Sequence, residues 1–345
     1  MMQDITAIHA PVLLQDCVDL VAPALQHEGA VVVDCTLGLA GHATAFLKAA
    51  PFATLVGIDR DTEALSLATE RMRNEGLGDR FIPAHAAFDE IDSVLAEHNI
   101  DKIDAAFMDL GLSSLQIDEA DRGFSYSHDT ALDMRMDTTQ SVTAATILAT
   151  YDVRELAKIF RDYGQERFAS LIARRIVETR EDAPLLTSGQ LVRLVDDVIP
   201  KAHRATGNPA KRVFQALRIE VNGELDKLQR TLPKIVLSLR KNGRLVVESY
   251  HSLEDTTVKR FMNQGLTVDV PANMPVIPED AQPFFKSLTR GAVKASKEEI
   301  ERNTRSSSVR LRAVELCRPV PERWFSRLQD EAAGLSSRRG GFYGA

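Results

Sequence analysis

Three acidic residues, each followed closely by small or hydroxylated residues, are the positions best suited to chemistry. They are Asp34 in Val31-V-V-D-C-T-L-G-L-A-G-H42, Asp59 in Val56-G-I-D-R-D61, and Asp109 in Phe107-M-D-L-G-L-S-S114. Each ends a short apolar or β-branched run, so each carboxylate is expected at the end of a strand. Gly38 and Gly41 permit a tight turn with positive φ, and their missing side chains let a ligand lie against the backbone. Asp59 at the next strand end can accept both ribose hydroxyls of an adenosine. A fourth polar cluster, Ser249-Y-H-S-L-E-D255, adds His251 beside two serines and two acids. The plainer roles are a turn for each glycine, a helix cap for Asp109, Ser113 or Ser114, and a structural site for a lone histidine.

The charge of the ligand follows from Asp34. A dinucleotide fingerprint reads Gly-x-Gly-x-x-Gly and rests a pyrophosphate on the helix N-terminus. Here the order is Gly38-L-A-G-H42, and an acid at the first strand end would repel a pyrophosphate. It would suit a cation. S-adenosylmethionine carries an ammonium and a sulfonium.

The elements that must position these residues alternate through the first third of the chain. Strands are expected over Ala30 to Cys35, Thr54 to Asp59, Arg80 to Pro83 and Ile103 to Asp109. Helices are expected over Gly41 to Ala49, Thr62 to Glu75 and Asp89 to His98. Such alternation implies a parallel sheet of βαβ units. From about Ser113 to Lys211 only helical periods recur: Val153 to Tyr163, Gln165 to Thr179 and Ser188 to Ile199. Phe214, Leu217, Val221, Leu225, Leu228 and Leu232 then form the stripe of one long amphipathic helix. Asn242-Gly243 reads as a turn before a strand over Leu245 to Tyr250, and Phe284 to Thr289 and Val309 to Leu316 complete the sheet. The expected architecture is one α/β domain, residues 1–112 and 212–320, interrupted by an all-helical insertion at 113–211 and followed by a tail, 321–345, whose last ten or so residues read as disordered.

Composition agrees. The 345 residues are 44% hydrophobic and 26% charged, as in a soluble globular protein. No uncharged apolar run approaches the roughly 20 residues of a membrane span, and Met1-M-Q-D-I-T6 lacks a signal-peptide pattern, so a cytoplasmic location is expected. Cys17, Cys35 and Cys317 stand far apart, which points to neither a disulfide framework nor a metal site. The net charge of −7 hides a basic stretch: Val198 to Ile219 holds Lys201, Arg204, Lys211, Arg212 and Arg218 and no acid. Lys286 to Arg312 carries eight basic against three acidic residues, a second candidate for a backbone clamp on RNA. A solvated helix face is the ordinary meaning of such runs, and Arg212 and Arg218 could equally be salt-bridge partners.

Longer motifs then resemble those of the bacterial RsmH (MraW) family. They are His9-A-P-V-L-L14, Asp34-C-T-L-G-L-A-G-H42, Gly57-I-D-R-D61, Asp109-L-G-L-S-S-L-Q116, Arg122-G-F-S-Y-S127, Leu132-D-M-R-M-D137, Tyr163-G-Q-E-R167, Arg212-V-F-Q-A-L-R-I-E-V-N222 and Ser249-Y-H-S-L-E-D255. The resemblance implies a class I S-adenosyl-L-methionine-dependent methyltransferase (Rossmann-like) sheet with the helical insertion. It implies methylation of the N4 amine of a cytidine in the decoding region (P site) of 16S rRNA, with the rRNA or the small ribosomal subunit as partner. Cofactor contacts are implied at Ala40, Gly41, His42, Asp59, Phe88, Asp109 and Gln116. The family carries glycine at the positions of Cys35 and Ala40, phenylalanine at Tyr250, arginine at Thr256 and proline at Thr304.

Such an amine is a poor nucleophile because its lone pair is conjugated with the ring, so acceptors that hold its hydrogens and align it supply the catalysis. Asp109 and Ser113, with the carbonyl of Leu110, are the candidates, and His251 and Ser249 are second choices. Lys211, Arg212 and Arg218 are the candidate RNA contacts. No metal is expected, and a homodimer is left open. Competing readings are a class I methyltransferase on another RNA, DNA or protein amine, a nicotinamide-dependent dehydrogenase, and a non-catalytic ribosome-assembly binder. The absence of Pro-Pro-aromatic after Asp109 disfavours a DNA amine. The broken fingerprint disfavours the dehydrogenase.

Overall fold

The computed structural model describes residues 11–112, 122–126, 128–200, 208–268, 270 and 277–335. Ser113, Ser114, Gln116, Lys201, Arg204 and the 336–345 tail lie outside the described residues. The chain divides into two units, Met1–Gly111 with Leu225–Phe342, and Leu112–Glu224.

The first unit carries strands β1 (Val31–Asp34), β2 (Thr54–Asp59), β3 (Phe81–His85), β4 (Ile103–Asp109), β5 (Leu239–Ser249), β6 (Phe285–Ser287) and β7 (Arg310–Leu316). They form one seven-stranded sheet in the order β3-β2-β1-β4-β5-β7-β6. The pairs among β1 to β5 are parallel, and β7 runs antiparallel to β5 and β6. Parallel strands are covered on both faces and so read as continuous apolar runs. In β4, Ala105, Ala106, Phe107 and Met108 are all fully buried. The order reverses beside β1, with β2 on one flank and β4 on the other, and ligands of open α/β sheets sit beyond the strand carboxyl ends at such a point. Helices α1 (Leu14–Val21), α2 (Gly41–Ala49) and α3 (Thr62–Asn74) belong to this unit. Asp61 starts α3 by accepting from the backbone N–H groups of Glu63 and Ala64.

The second unit is helical: Ala144–Thr150, Val153–Asp162, Ala169–Asp182, Ser188–Val198 and Lys211–Asn222. Asp152 with Glu155, and Thr187 with Gln190, form reciprocal capping boxes that fix two of the helix starts. Its core gathers Leu156, Phe160, Ile172, Ile176, Leu191, Phe214 and Leu217.

Four expectations are corrected. The stripe from Phe214 to Leu232 is two helices, Lys211–Asn222 and Glu224–Ser238, because Gly223 between them takes a φ of 60°. Phe214, Leu217 and Val221 join the helical core while Leu228 and Leu232 join the sheet's, so the return to the first unit falls at Leu225 rather than at 212. Asn242-Gly243 sits within β5, where the ladder to β4 is irregular: it passes from Ile103↔Leu239 to Ala105↔Arg244, five residues on β5 against two on β4. Asn242 has φ 68°, and a Cβ on Gly243 would lie 2.8 Å from the Arg240 carbonyl. The segment expected as a tail from 321 contains a helix, Glu322–Ala332, that buries Trp324 and Leu328 in the sheet's core. No described helix is long and apolar enough to cross a membrane.

Candidate active site

The β1–α2 turn is held by backbone bonds and by one carboxylate from the next strand. Leu37 N–H donates to the Ile58 carbonyl (3.0 Å) and Ala40 N–H to the Leu37 carbonyl (2.8 Å). Asp59 Oδ2 accepts from Gly38 N–H at 2.8 Å, and its Oδ1 from Asp61 N–H at 2.9 Å. One acid thus ties two strand-end turns together, and each oxygen keeps a second lone pair. Gly38 (φ 50°) and Ala40 (φ 59°) are both left-handed. The alanine holds a conformation that favours glycine, and no side chain caps the helix it starts.

The two glycines differ. A Cβ on Gly38 would meet nothing closer than 4.0 Å, whereas one on Gly41 would lie 2.6 Å from Pro11 Cγ. The expectation that both bare the backbone for a ligand therefore holds in space at Gly38 alone; at Gly41 the missing side chain admits Pro11.

Carboxylates from three strand ends share this edge. Asp34 is 1% exposed, and its Oδ1 accepts from Thr36 N–H at 3.1 Å. Burial pushes its carboxyl up to about 7, and the Asp109 and Asp59 charges push the same way against that hydrogen bond. Asp109, 31% exposed at its side chain, donates its N–H to Thr36 Oγ1 at 2.6 Å. Burial raises its carboxyl too, opposed by His42 and by a hydrogen bond from Tyr250. Burial likewise raises Asp59, against the two backbone donors. Three carboxyls held above their ordinary range gather at this edge, and the negative charge they carry when ionised would favour a cationic ligand over an anion.

His42 and His251 are brought to different tasks. The His42 ring is 6% exposed, faces Phe107 at 4.6 Å between centroids, and places Nε2 2.9 Å from the Val12 carbonyl. Burial holds it below its ordinary value. Burial thus favours the neutral imidazole, while the nearby Asp109 charge favours the protonated one. His251 caps the helix Ser252–Leu266: Nδ1 accepts from Glu254 N–H at 3.3 Å, and Glu254 Oε2 accepts from the N–H groups of Tyr250 and His251. Its Nε2 lies 3.1 Å from Glu254 Oε1 but makes no hydrogen bond among the described residues, so Nδ1 alone serves the cap.

Phe88 opens a short 3-10 turn after β3 and packs, half-buried, against the sheet's core beside Ala86. In the helical unit, Lys211 and Arg212 begin their helix exposed, with Arg212 donating to the Gln165 carbonyl at 3.2 Å. Arg218 instead forms a two-pronged pair with Glu224 (3.0 and 2.8 Å), the two side chains 14% and 9% exposed. A guanidinium committed in that way is a structural partner, which corrects its expected place among the RNA contacts.

Sequence reasoning missed Thr36, whose hydroxyl joins the β1 and β4 ends, and Glu248 in β5. The signal for Glu248 was an acid in the midst of a strand otherwise read as buried.

The model of the MraW methylase family matches residues 6–317. The chain is 68% identical over 340 residues, 99% of each chain, to the ribosomal RNA small subunit methyltransferase H of Bifidobacterium adolescentis. It is 52% identical over 318 residues, 92% of this chain and 95% of the other, to the protein of the same name from Beutenbergia cavernae. A solved rRNA methylase from Streptococcus thermophilus, 13% identical, covers 90% of this chain and 99% of its own with a TM-score of 0.39, a partial likeness that decides nothing here. By the family match and by these relatives, the chain belongs to the MraW methylase family.

Proposed function

We propose that this protein transfers a methyl group from S-adenosyl-L-methionine to the N4 amine of a cytidine in the decoding region (P site) of 16S rRNA. The observation that carries the reading is the convergence of Asp34, Asp59 and Asp109 at the reversal point of the sheet, in a chain so similar to named rRNA small subunit methyltransferases. The residues fit a cationic nucleoside cofactor. Asp59 keeps lone pairs for the ribose hydroxyls, Gly38 leaves room beside its Cα, and the three carboxyls suit positive charge. Ala40, Gly41 and His42 supply the turn, Phe88 an apolar face for the adenine, and Gln116 a polar contact that rests on the family resemblance.

When bound, S-adenosyl-L-methionine supplies the electrophilic methyl. Asp109 accepts hydrogen bonds from the amine, with Ser113 and the Leu110 carbonyl completing the cradle, and it takes the proton that leaves the nitrogen. His251, whose Nδ1 caps its helix while Nε2 has no hydrogen-bond partner among the described residues, is the second-choice contact to the base. The enzyme works in the cytoplasm on the rRNA or the small ribosomal subunit; sedimentation decides between a monomer and a homodimer.

Methylation at carbon-5 instead would need a cysteine thiolate poised at the base. Cys35 is 2% exposed and burial raises its thiol, while Cys317 hydrogen-bonds the Phe284 carbonyl at 3.3 Å. Mass spectrometry of rRNA made with and without the protein should therefore find one N4-methylcytidine that depends on it. A protein-dependent 5-methylcytidine, or an unchanged map, would sink the reading.

Asp59→Ala removes the proposed ribose acceptor. Cofactor binding should weaken by about 1.5–3 kcal/mol, the range for hydrogen bonds to a charged group. Calorimetry on a variant with a native melting profile checks this, and unchanged affinity refutes the role.

Lys211→Ala with Arg212→Ala should weaken RNA binding and flatten its salt dependence by about 0.7 per lost contact to a single strand. Cofactor affinity should stay the same. A double variant with the wild-type salt slope would return both residues to the fold.

A further inference from the structure

Beneath the cofactor turn lies a group of side chains that the methyl transfer does not use. Cys17 of α1, His42 of α2 and Glu248 of β5 each present one ligand atom, all within 4.8 Å of one another. They are 0%, 6% and 0% exposed. Among the described residues neither Glu248 carboxylate oxygen has a hydrogen-bond partner of normal geometry. What faces them is the Cys17 thiol, a weak donor, and His42 Nε2 at 3.8 Å from Oε2. A fully buried carboxylate with no real donor is costly unless it is neutralised.

We propose that Cys17, His42 and Glu248 bind a single divalent cation of the zinc type. Thiolate, imidazole and carboxylate are the donors zinc selects, and one thiolate plus one carboxylate balance its double charge. Donor atoms around a tetrahedral zinc, with bonds of roughly 2.0–2.3 Å, stand roughly 3.3–3.6 Å apart, so modest side-chain rotation closes the set. The Val12 carbonyl, now hydrogen-bonded to His42 Nε2 at 2.9 Å, would have to give up that bond and draw back slightly to act as a fourth donor; a water is the alternative. Metal-bound histidines commonly point their other nitrogen at a carboxylate. His42 Nδ1 faces Asp109 Oδ2 at 3.9 Å.

The surrounding electrostatics agree. Burial pushes both the Cys17 thiol and the Glu248 carboxyl well up, and the charges of Glu248 and Asp109 add to the first while Asp109 adds to the second. A cation reverses that mutual repulsion; the thiol and carboxyl protons leave to solvent as it binds, and the imidazole proton moves from Nε2 to Nδ1. The ion would staple α1 and the start of α2 to β5, without entering the cofactor seat.

The test uses the purified full chain. Elemental analysis should find one zinc per chain, or the chelator-stripped protein should take up one Co2+ with a thiolate-to-cobalt charge-transfer band. Cys17→Ser should abolish the band and weaken Zn2+ binding by more than about 100-fold, beyond the 10–100-fold that losing an outer-shell partner costs. Glu248→Gln should weaken Zn2+ binding while keeping the band, and Cys35→Ser with Cys317→Ser should keep both. Should Cys17→Ser fail to fold, the wild type and the Cys35/Cys317 variant still decide. A stripped, folded wild type that takes up no Zn2+ or Co2+ overturns the site. So does a band that Cys35→Ser with Cys317→Ser removes, or unchanged affinity in a folded Cys17→Ser.

Discussion

Asp109→Asn should lower the single-turnover rate of methyl transfer by about 10²–10⁴-fold, the range for a positioned acid or base in a transition state. The substitution keeps the shape of the side chain at the end of β4 and removes its charge, so the amine loses the acceptor that takes its proton. Cofactor binding should suffer less, by no more than about 1.5–3 kcal/mol for one lost charged contact. The split between rate and affinity is the diagnostic. A group that only held the cofactor would lower affinity and leave the rate at saturation alone.

Tyr250→Phe provides the companion measurement. The tyrosine hydroxyl hydrogen-bonds the Asp109 carboxylate and helps hold it ionised against burial. Removing the hydroxyl keeps the ring and takes away one neutral donor, a change of roughly 0.5–1.5 kcal/mol. The rate should fall about tenfold or less. If Asp109→Asn transfers methyl groups at the wild-type rate from saturating cofactor, the cradle lies elsewhere and the role of Asp109 is lost.

What was legible in the sequence was what local chemistry writes into it. The carboxyl ends of β1, β2 and β4 stood out because strands covered on both faces are continuous apolar runs, and an acid that stops such a run marks the edge. Asn242-Gly243 reads as a turn, and Asn242 does take a left-handed backbone, but an irregularity inside a strand uses the same residues, and only the β4 ladder distinguishes them. The single long helix failed at Gly223 for a related reason. A three-and-four stripe persists across a break when each half has a core to face, here two different ones.

The site followed the same division. Asp59 was readable from its strand, yet its grip on Gly38 N–H is a contact across 21 positions. Gly41 looked bared for a ligand because nothing local fills its side-chain space; Pro11, far along the chain, does. His251-S-L-E254 is a capping box with histidine in the place usually held by serine or threonine, so the pattern was present under an unusual residue. Cys17 carried no local mark and Glu248 only that of an acid within an apolar strand, since each is a common residue type made unusual by what the fold sets beside it.

Asp34 makes the second large prediction, and it concerns stability. Its carboxyl titrates at about 7 in the fold against an ordinary value of 3.8. Between those values the unfolded chain loses this proton while the native protein keeps it. The native state then binds more protons, so stability from this group is complete below the unfolded value and is lost as pH rises through about 7. A shift of about three units at 1.36 kcal/mol each is worth about 4 kcal/mol. Asp34→Asn keeps the oxygen that accepts from Thr36 N–H and has no charge to bury. Its unfolding free energy should match the wild type near pH 4 and exceed it by up to about 4 kcal/mol at pH 8. Asp59 and Asp109 repel the Asp34 charge, so the difference between the two curves reports Asp34 together with that coupling. The same variant should bind the cationic cofactor more weakly at pH 8, because the buried charge it removes lies at the end of β1, beside the proposed seat. Urea titrations at pH 4, 6 and 8 measure the first effect; a difference that stays constant across them would mean Asp34 is ionised throughout and its burial is relieved by something other than its proton.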